Sequence, residues 1–298
     1  MKFENGDCIL KVLVPKYSGF CPGVKYAEDK IFAQKKEKPI FVYGHLIHNK
    51  NYIQYLKEKE IYTVEDLKEI AEGETVVVRT HGIEQNQEKE ISEKYEILDL
   101  TCVKVKKLQS VIQSYSKKGY AVIITGKSDH PEVKGLKSYA EKYFVIEKEE
   151  NIVNALSQIN EKAEREGWKK ILLVSQTTAE ASLFEAACRN IKALFHDRME
   201  IEIIQSICSI TTLRENEALK LQAKVDVSFV IGDPMSSNSK KLFNLLQKNH
   251  PETYFIEDLQ ALLELKLDLK KFHQAQVVSS SSTPDFIEKE VIHYLESV

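Results

Sequence analysis

The chain has 298 residues and a mass of 34.2 kDa, room for about two domains or three small ones. Its 42 basic and 45 acidic side chains leave a formal charge of −3, which argues against a general nucleic-acid binder, since that role needs a net basic field or a strong basic patch. A 43% hydrophobic fraction supplies a substantial core, and 11 Gly and 7 Pro exclude collagen-like and low-complexity chains. The opening residues carry no long apolar run and no stretch approaches 18 apolar residues, so neither a secretory leader nor a bilayer span is expected. Five cysteines, at 8, 21, 102, 188 and 208, are odd in number and sparse. The expectation is a cytoplasmic protein without a disulfide framework.

Short apolar runs predict strands at 9–15, 39–44, 75–80, 96–100, 120–126, 170–175, 201–206, 225–232, 252–256 and 275–279. Amphipathic stretches between them predict helices, as at 103–118, 180–195, 213–223 and 238–249. Several runs are near-continuous Val, Ile and Leu, as in parallel sheets covered on both faces, and the alternation reads as βαβ architecture. The charged segment 147–166 reads as a solvated helical face. The run Ser279–Ser282 is too short for a linker, and Thr283-Pro284-Asp285 starts a helix.

Polar residues collect just past the strands. Cys21 sits in Ser18-Gly-Phe-Cys-Pro-Gly-Val24, and then follow His48-Asn49, His81-Gly82, Thr101-Cys102, His130-Pro-Glu132 and Gln176-Thr-Thr178, with Cys208, Ser236-Ser-Asn-Ser239 and Ser282-Thr-Pro284 closing the series. In open α/β sheets ligands bind beyond the carboxyl ends of the strands. A lone cysteine is more often a small buried hydrophobe than a ligand. Cys188, beside Ala186-Ala187 in a helical stretch, reads as packing, and Cys8 carries no further signal. Cys21, Cys102 and Cys208 each stand between a strand and a helix, where a helix N-terminus favours the thiolate. Three separated thiolates leave a four-coordinate metal one protein ligand short. That describes an iron–sulfur cubane with one open iron, or a zinc completed by His or water.

His48, His81 and His130, with Ser236, Ser237, Asn238 and Ser282, form a candidate set of phosphate donors; for the serines and asparagine, ordinary helix capping competes with that reading. Neither a Gly-x-Gly-x-x-Gly nor a P-loop sequence is present. Glu132 is the natural proton donor. Its place at a helix start favours the ionised carboxylate, whereas burial beside an anion would raise its pKa. On the residues alone three functions stand open: an iron–sulfur reductase, a zinc-dependent hydrolase or lyase, and a non-catalytic phosphate-binding module with structural cysteines.

The motifs in order, Gly19-Phe-Cys-Pro-Gly-Val24, Gly44-His-Leu-Ile-His-Asn49, Arg79-Thr-His-Gly-Ile83, Leu98-Asp-Leu-Thr-Cys102, His130-Pro-Glu-Val133, Gln176-Thr-Thr178, Ile207-Cys-Ser-Ile-Thr211 with Arg214, Ser236-Ser-Asn-Ser239 and Ser282-Thr-Pro-Asp285, resemble those of the 4-hydroxy-3-methylbut-2-enyl diphosphate reductases. The resemblance implies an α/β trefoil of three small domains with mostly parallel sheets around a central iron–sulfur cluster, here 1–101, 102–206 and 207–298, the N-terminal strand packing with the third. It implies a [4Fe–4S] cluster on Cys21, Cys102 and Cys208, whose fourth iron takes the substrate's hydroxyl. It further implies a diphosphate held by His48, His81, Ser236, Ser237, Asn238 and Ser282 with His130 close by, Glu132 as acid, and Thr177 orienting the hydroxyl. The implied reaction is a two-electron reductive dehydroxylation to isopentenyl and dimethylallyl diphosphates, with electrons from a reduced ferredoxin or flavodoxin. A monomer is expected, with no nucleic-acid or membrane partner. A paralogue acting on a related allylic diphosphate is the alternative within the resemblance. The chain departs from the family's usual residues at Leu100, Val103, Ser209-Ile210, Glu215, Asp233-Pro234 and Ser280-Ser281.

Overall fold

The computed structural model describes residues 10–34, 39–47 and 49–298; Cys8, His48 and the first residue of the expected 9–15 strand lie outside them. In chain order the elements are β1 (Lys11–Leu13), α1 (Pro22–Gln34), β2 (Ile40–Tyr43), α2 (Lys50–Glu58), β3 (Ile61–Val64), β4 (Thr75–Val78), α3 (Gln85–Lys94), β5 (Glu96–Asp99), α4 (Val103–Ser116), β6 (Ala121–Thr125), α5 (Pro131–Ser138), β7 (Tyr143–Ile146), α6 (Ile152–Glu166), β8 (Lys170–Ser175), α7 (Ala181–Phe195), β9 (Glu200–Ile203), α8 (Ser209–Gln222), β10 (Val227–Ile231), α9 (Ser237–Asn249), β11 (Thr253–Ile256), α10 (Leu259–Glu264), β12 (Gln274–Ser279) and α11 (Asp285–Glu296). The strands form three four-stranded sheets, ordered β1-β12-β10-β11, β3-β2-β4-β5 and β7-β6-β8-β9. Every pairing with a defined register is parallel. Among the described residues no helix is long and apolar enough to cross a membrane.

Position within a sheet follows from the strand's own sequence. The continuous apolar runs Ala121–Thr125 and Val227–Ile231 are buried at every residue and stand in the interior of their sheets. The alternating Glu200-Ile-Glu-Ile203 is an edge strand, with Ile201 and Ile203 packed on a core of Ile123, Ile171, Phe184, Ile191 and Phe195. β3 and β7 escape the sequence reading. Each is a four-residue edge strand set in charged sequence, Lys59-Glu-Ile-Tyr-Thr-Val-Glu65 and Glu141-Lys-Tyr-Phe-Val-Ile-Glu147, so no long apolar run marks it. α8 begins earlier than its periodicity indicates, because its buried residues are Arg214, Ala218 and Gln222 and two of them are polar.

By internal contacts the chain divides into two units. The first comprises Met1–Lys38, His45–Thr63 and Ser209–Val298; the second comprises Pro39–Gly44 and Val64–Cys208. The first holds the β1-β12-β10-β11 sheet, whose core joins Val227, Phe229, Val277, Ile287 and Val291. In the second, α4 follows β5 and buries Leu108 and Ile112 against Val122, Ile124 and Leu172 of β6 and β8.

The β6–β8 register, Thr125 opposite Ser175, sets two loops side by side. Thr125 Oγ1 donates to Ser175 Oγ at 2.8 Å, and the Gln176 N–H donates to the Thr125 carbonyl at 2.8 Å. Gly126 then turns away with φ 151°, and a Cβ there would lie 2.7 Å from the Gln176 side chain. Gly167 differs: it ends α6 with φ 65° and open space around it. Gly167→Ala should therefore cost about 1–2 kcal/mol, the left-handed penalty alone. Gly126→Ala adds an overpacking term of about 1–3 kcal/mol and should lower the thermal midpoint more. Equal midpoints for the two variants would show that the Gly126–Gln176 contact constrains nothing.

Candidate active site

Three cysteines are brought to sheet ends by one device, the continuation of an edge strand's ladder past the strand itself. In the second unit Ile204 N–H bonds the Leu173 carbonyl at 2.9 Å, Ser206 Oγ bridges the N–H and carbonyl of Ser175, and Cys208 N–H reaches the Thr177 carbonyl at 2.6 Å. The same two-residue rhythm runs beyond β5, where Leu100 N–H bonds Val78 and Cys102 N–H bonds the Thr80 carbonyl at 2.9 Å. In the first unit, past the edge strand β1, Gly19 N–H bonds the Ser279 carbonyl at 3.2 Å and Ser18 Oγ accepts the Ser279 N–H. Ser18 also donates to Glu288. The buried guanidinium of Arg214 clamps this loop, donating from Nε to the Tyr17 carbonyl and from Nη2 to the Gly19 carbonyl, each at 2.5 Å. Cys21, Cys102 and Cys208 are half-buried and outside any disulfide. Cys102 is the N-cap of α4, and Cys21 and Cys208 immediately precede α1 and α8. Cys188 packs on the core of the second unit, where burial raises its thiol pKa. Among the described residues no three His, Cys, Asp or Glu side chains are gathered as a metal cage.

Glu132 stands in the first turn of α5 and is 1% exposed. The β6–β8 register carries it onto the next loop: Thr177 N–H donates to Oε1 at 2.6 Å, and Thr177 Oγ1 bonds Oε2 at 2.8 Å. Burial pushes the carboxyl up to about 7, against the pull of the two Thr177 hydrogen bonds toward the ionised form. Desolvation thus outweighs the helix N-terminus, the balance that sequence alone leaves undecided. His130 is the N-cap of α5, and its Nδ1 accepts the Glu132 N–H at 3.2 Å. The His81 ring meets the His130 ring edge-on at a centroid distance of 5.3 Å. The second unit therefore gathers His81, His130, Glu132 and Thr177, and the Thr177 backbone also anchors Cys208.

The candidate anion donors of the first unit lie at the carboxyl ends of β10 and β12. Ser236 caps α9, accepting the Ser239 N–H, and Ser237 and Asn238 form the first turn. Ser282 Oγ donates to Ser236 Oγ at 3.1 Å and sits 2.9 Å from Ser280 Oγ, which in turn bonds Ser239 Oγ at 2.7 Å. Asn238 Nδ2 donates to Ser281 Oγ at 3.3 Å, while Asn238 Oδ1 is buried with no hydrogen-bond partner. Asn49 accepts the Tyr52 N–H as the N-cap of α2; His48 is outside the described residues. The sequence reading gives no role to Ser239, Ser280 or Lys104, whose Nζ donates to Cys208 Sγ at 3.3 Å. Position along the chain could have flagged the lysine, because a cation in the first turn of a helix opposes the helix dipole.

The Glu132 environment generates a pH test. A carboxyl raised from its ordinary 4.5 to about 7 holds a proton in the folded chain that the unfolded chain has lost between those values. Its contribution to stability is complete below about pH 4.5 and is lost as pH rises through about 7. Glu132→Gln keeps the neutral shape. It should match the parent near pH 4.5 and exceed it at pH 8 by up to about 3 kcal/mol, read from urea midpoints. A stability difference that does not change between pH 5 and 8 would contradict the raised pKa.

A family model described as LytB protein matches residues 12–296. The chain is 34% identical over 295 residues to the 4-hydroxy-3-methylbut-2-enyl diphosphate reductase of Clostridioides difficile, spanning 97% of this chain and 100% of the relative. To the enzyme of the same name from Alkaliphilus oremlandii it is 32% identical over 293 residues, again 97% and 100%. A solved structure of (E)-4-hydroxy-3-methyl-but-2-enyl diphosphate reductase, the terminal enzyme of the non-mevalonate pathway, superposes with a TM-score of 0.72 at 27% identity over 97% of this chain and 100% of that one. The Plasmodium falciparum E-1-hydroxy-2-methyl-but-2-enyl-4-diphosphate reductase gives a TM-score of 0.81 at 25% identity over 96% and 87%. The chain belongs to the LytB family of 4-hydroxy-3-methylbut-2-enyl diphosphate reductases.

Proposed function

We propose that the chain is an oxidoreductase that converts 4-hydroxy-3-methylbut-2-enyl diphosphate to isopentenyl and dimethylallyl diphosphates. Two electrons and two protons enter; the C–O bond breaks, a C–H bond forms and the oxygen leaves as water. The observation that carries this reading is the buried Glu132–Thr177 pair, an acid with a pKa of about 7 hydrogen-bonded to a hydroxyl that can face a substrate oxygen.

Family membership implies a [4Fe–4S] cluster on three cysteines, and the donors of this chain fit one. Cys21, Cys102 and Cys208 stand outside any disulfide, each at the start of a helix, and offer the soft sulfur donor set that iron–sulfur centres use. We assign these three as the ligands, in a trefoil of domains 1–101, 102–206 and 207–298 organised about the cluster, with β1 joining the third; the remaining strands of each four-stranded sheet fall within one range, which supports that division. When bound, the cluster would supply one-electron chemistry and Lewis-acid activation of the substrate's hydroxyl, with a reduced ferredoxin or flavodoxin as the electron source.

The proton chemistry belongs to the chain. Thr177 donates to both carboxylate oxygens of Glu132, from N–H to Oε1 and from Oγ1 to Oε2; we place the proton of the neutral acid on Oε2, which reverses the second of these bonds. Oε2–H donates to that hydroxyl, which frees the Thr177 proton to donate to the departing oxygen. After transfer both Thr177 donors hold the carboxylate, and its burial draws a proton back. We assign diphosphate binding to His48, His81, Ser236, Ser237, Asn238 and Ser282, with His130 beside them. His130 Nδ1 accepts the Glu132 N–H, which leaves Nε2 as the ring nitrogen that would carry the proton of a neutral imidazole. Turning the Asn238 amide toward a phosphate would cost only its Nδ2 bond to Ser281, since its Oδ1 has no hydrogen-bond partner to lose.

Glu132→Gln should retain iron and sulfide yet turn over at least about 100-fold more slowly, the lower range for loss of a general acid. Steady-state rates of anaerobically prepared protein with matched iron content decide this, and parental turnover would remove Glu132 from proton delivery. Cys21→Ser, Cys102→Ser and Cys208→Ser should each lower iron content and nearly abolish turnover, while Cys188→Ala does neither. Iron lost from Cys188→Ala but kept by Cys102→Ser would overturn the ligand assignment.

A further inference from the structure

The first turn of α4 reads Val103-Lys-Val-Lys106 and contains no acidic residue. A helix N-terminus carries partial positive charge, so a cation there costs about 0.3–1 kcal/mol in place of the gain an acid would bring. One of the two lysines is neutralised: Lys106 Nζ lies 2.7 Å from both Glu88 and Asp99. Lys104 is engaged differently. Its ammonium donates to Cys208 Sγ at 3.3 Å, across 104 residues of chain and within one unit. Lys104 is also two residues from Cys102. Backbone hydrogen bonds to Thr80 and Thr177 fix both cysteine loops, so the lysine follows one anchored cysteine in sequence and donates to the sulfur of the other. A local conflict with helix electrostatics, resolved by a contact to a sulfur, marks a position kept for a purpose other than helix stability.

We propose that Lys104 sets the reduction potential of the bound cluster, its ammonium donating a charge-assisted hydrogen bond to the Cys208 thiolate. The inference rests on the ligand assignment above. Reduction transfers one electron from the reductant to the cluster and makes it more negative by one charge; no covalent bond to Lys104 forms or breaks. A fixed positive charge near a ligand sulfur interacts more favourably with the more negative state, and an N–H···S bond draws electron density from the thiolate. Both effects raise the potential and make electron entry from the donor easier. Because the lysine is solvent-exposed, salt screens part of the effect.

The test is spectroelectrochemical titration of the full chain, reconstituted anaerobically and matched in iron and sulfide, with dithionite as reductant. Lys104→Met keeps the unbranched stem and removes the charge; its potential should fall below that of the parent. Lys104→Glu should fall further, and Lys104→Arg should stay close to the parent. The gap between parent and Lys104→Met should narrow in high salt. A role confined to packing leaves Lys104→Met at the parental potential, and that result overturns the proposal. If Lys104→Met does not hold a cluster, Lys104→Gln, which keeps a donor without the charge, takes its place and must again fall below the parent. A parent chain that takes up no iron and sulfide overturns both the ligand assignment and this inference. Cluster-loaded variants with unchanged potentials overturn this inference alone.

Discussion

The chemistry of this chain depends on a backbone constraint, the continuation of parallel ladders beyond the ends of edge strands. β5 and β9 stop as strands at Asp99 and Ile203, yet the residues that follow keep bonding to the neighbouring strand's extension at every second position, out to Cys102 and Cys208. Past β1 the chain rejoins β12 through Gly19 and Ser279, two residues before Cys21. A thiol carried this way is placed by the sheet rather than by a free loop, which limits its positional error to that of the ladder. Each cysteine is followed at once by a helix, so regular structure bounds its position on both sides.

The two units present opposite chemistry at their sheet ends. The second carries a titratable set, with an acid buried until its pKa reaches neutrality and two imidazoles in edge-to-face contact. The first offers uncharged hydroxyls and an amide around the start of α9, where the backbone already favours an anion. Neutral donors of this kind can meet an anion without burying a charged side chain. The one buried cation of that unit shown here, Arg214, is occupied with the Tyr17 and Gly19 carbonyls and so supports the Cys21 loop.

Much of this was legible in the sequence because burial and chemistry leave different marks. Interior strands such as Ala121–Thr125 are apolar throughout, and the polar residues past them are grouped where a parallel sheet must expose its carboxyl ends. What escaped was short, exposed or cooperative. β3 and β7 are four-residue edges in charged sequence, and the start of α8 hides behind the buried polar residues Arg214 and Gln222. The protonation of Glu132 turns on a competition between a helix end and desolvation, which depends on how dry the site is and not on which residues are neighbours in sequence. The Lys104–Cys208 contact joins positions 104 residues apart, and no local pattern encodes the partner.

The hydroxyl cluster of the first unit has a property that follows from proton counting. Ser236, Ser239, Ser280 and Ser282 are buried and linked mainly to one another, and each hydroxyl has a single hydrogen to give. In several of these contacts either oxygen can be the donor, so the cluster holds alternative proton arrangements over one fixed set of heavy atoms. An anion only accepts. One placed against the cluster would select the arrangement in which the O–H dipoles run toward it, and the ordering would pass from one rotor to the next as in a strand of ice. The cluster can thus acquire an electrostatic polarity in response to a neighbouring charge, without a formal charge of its own and without moving a side chain.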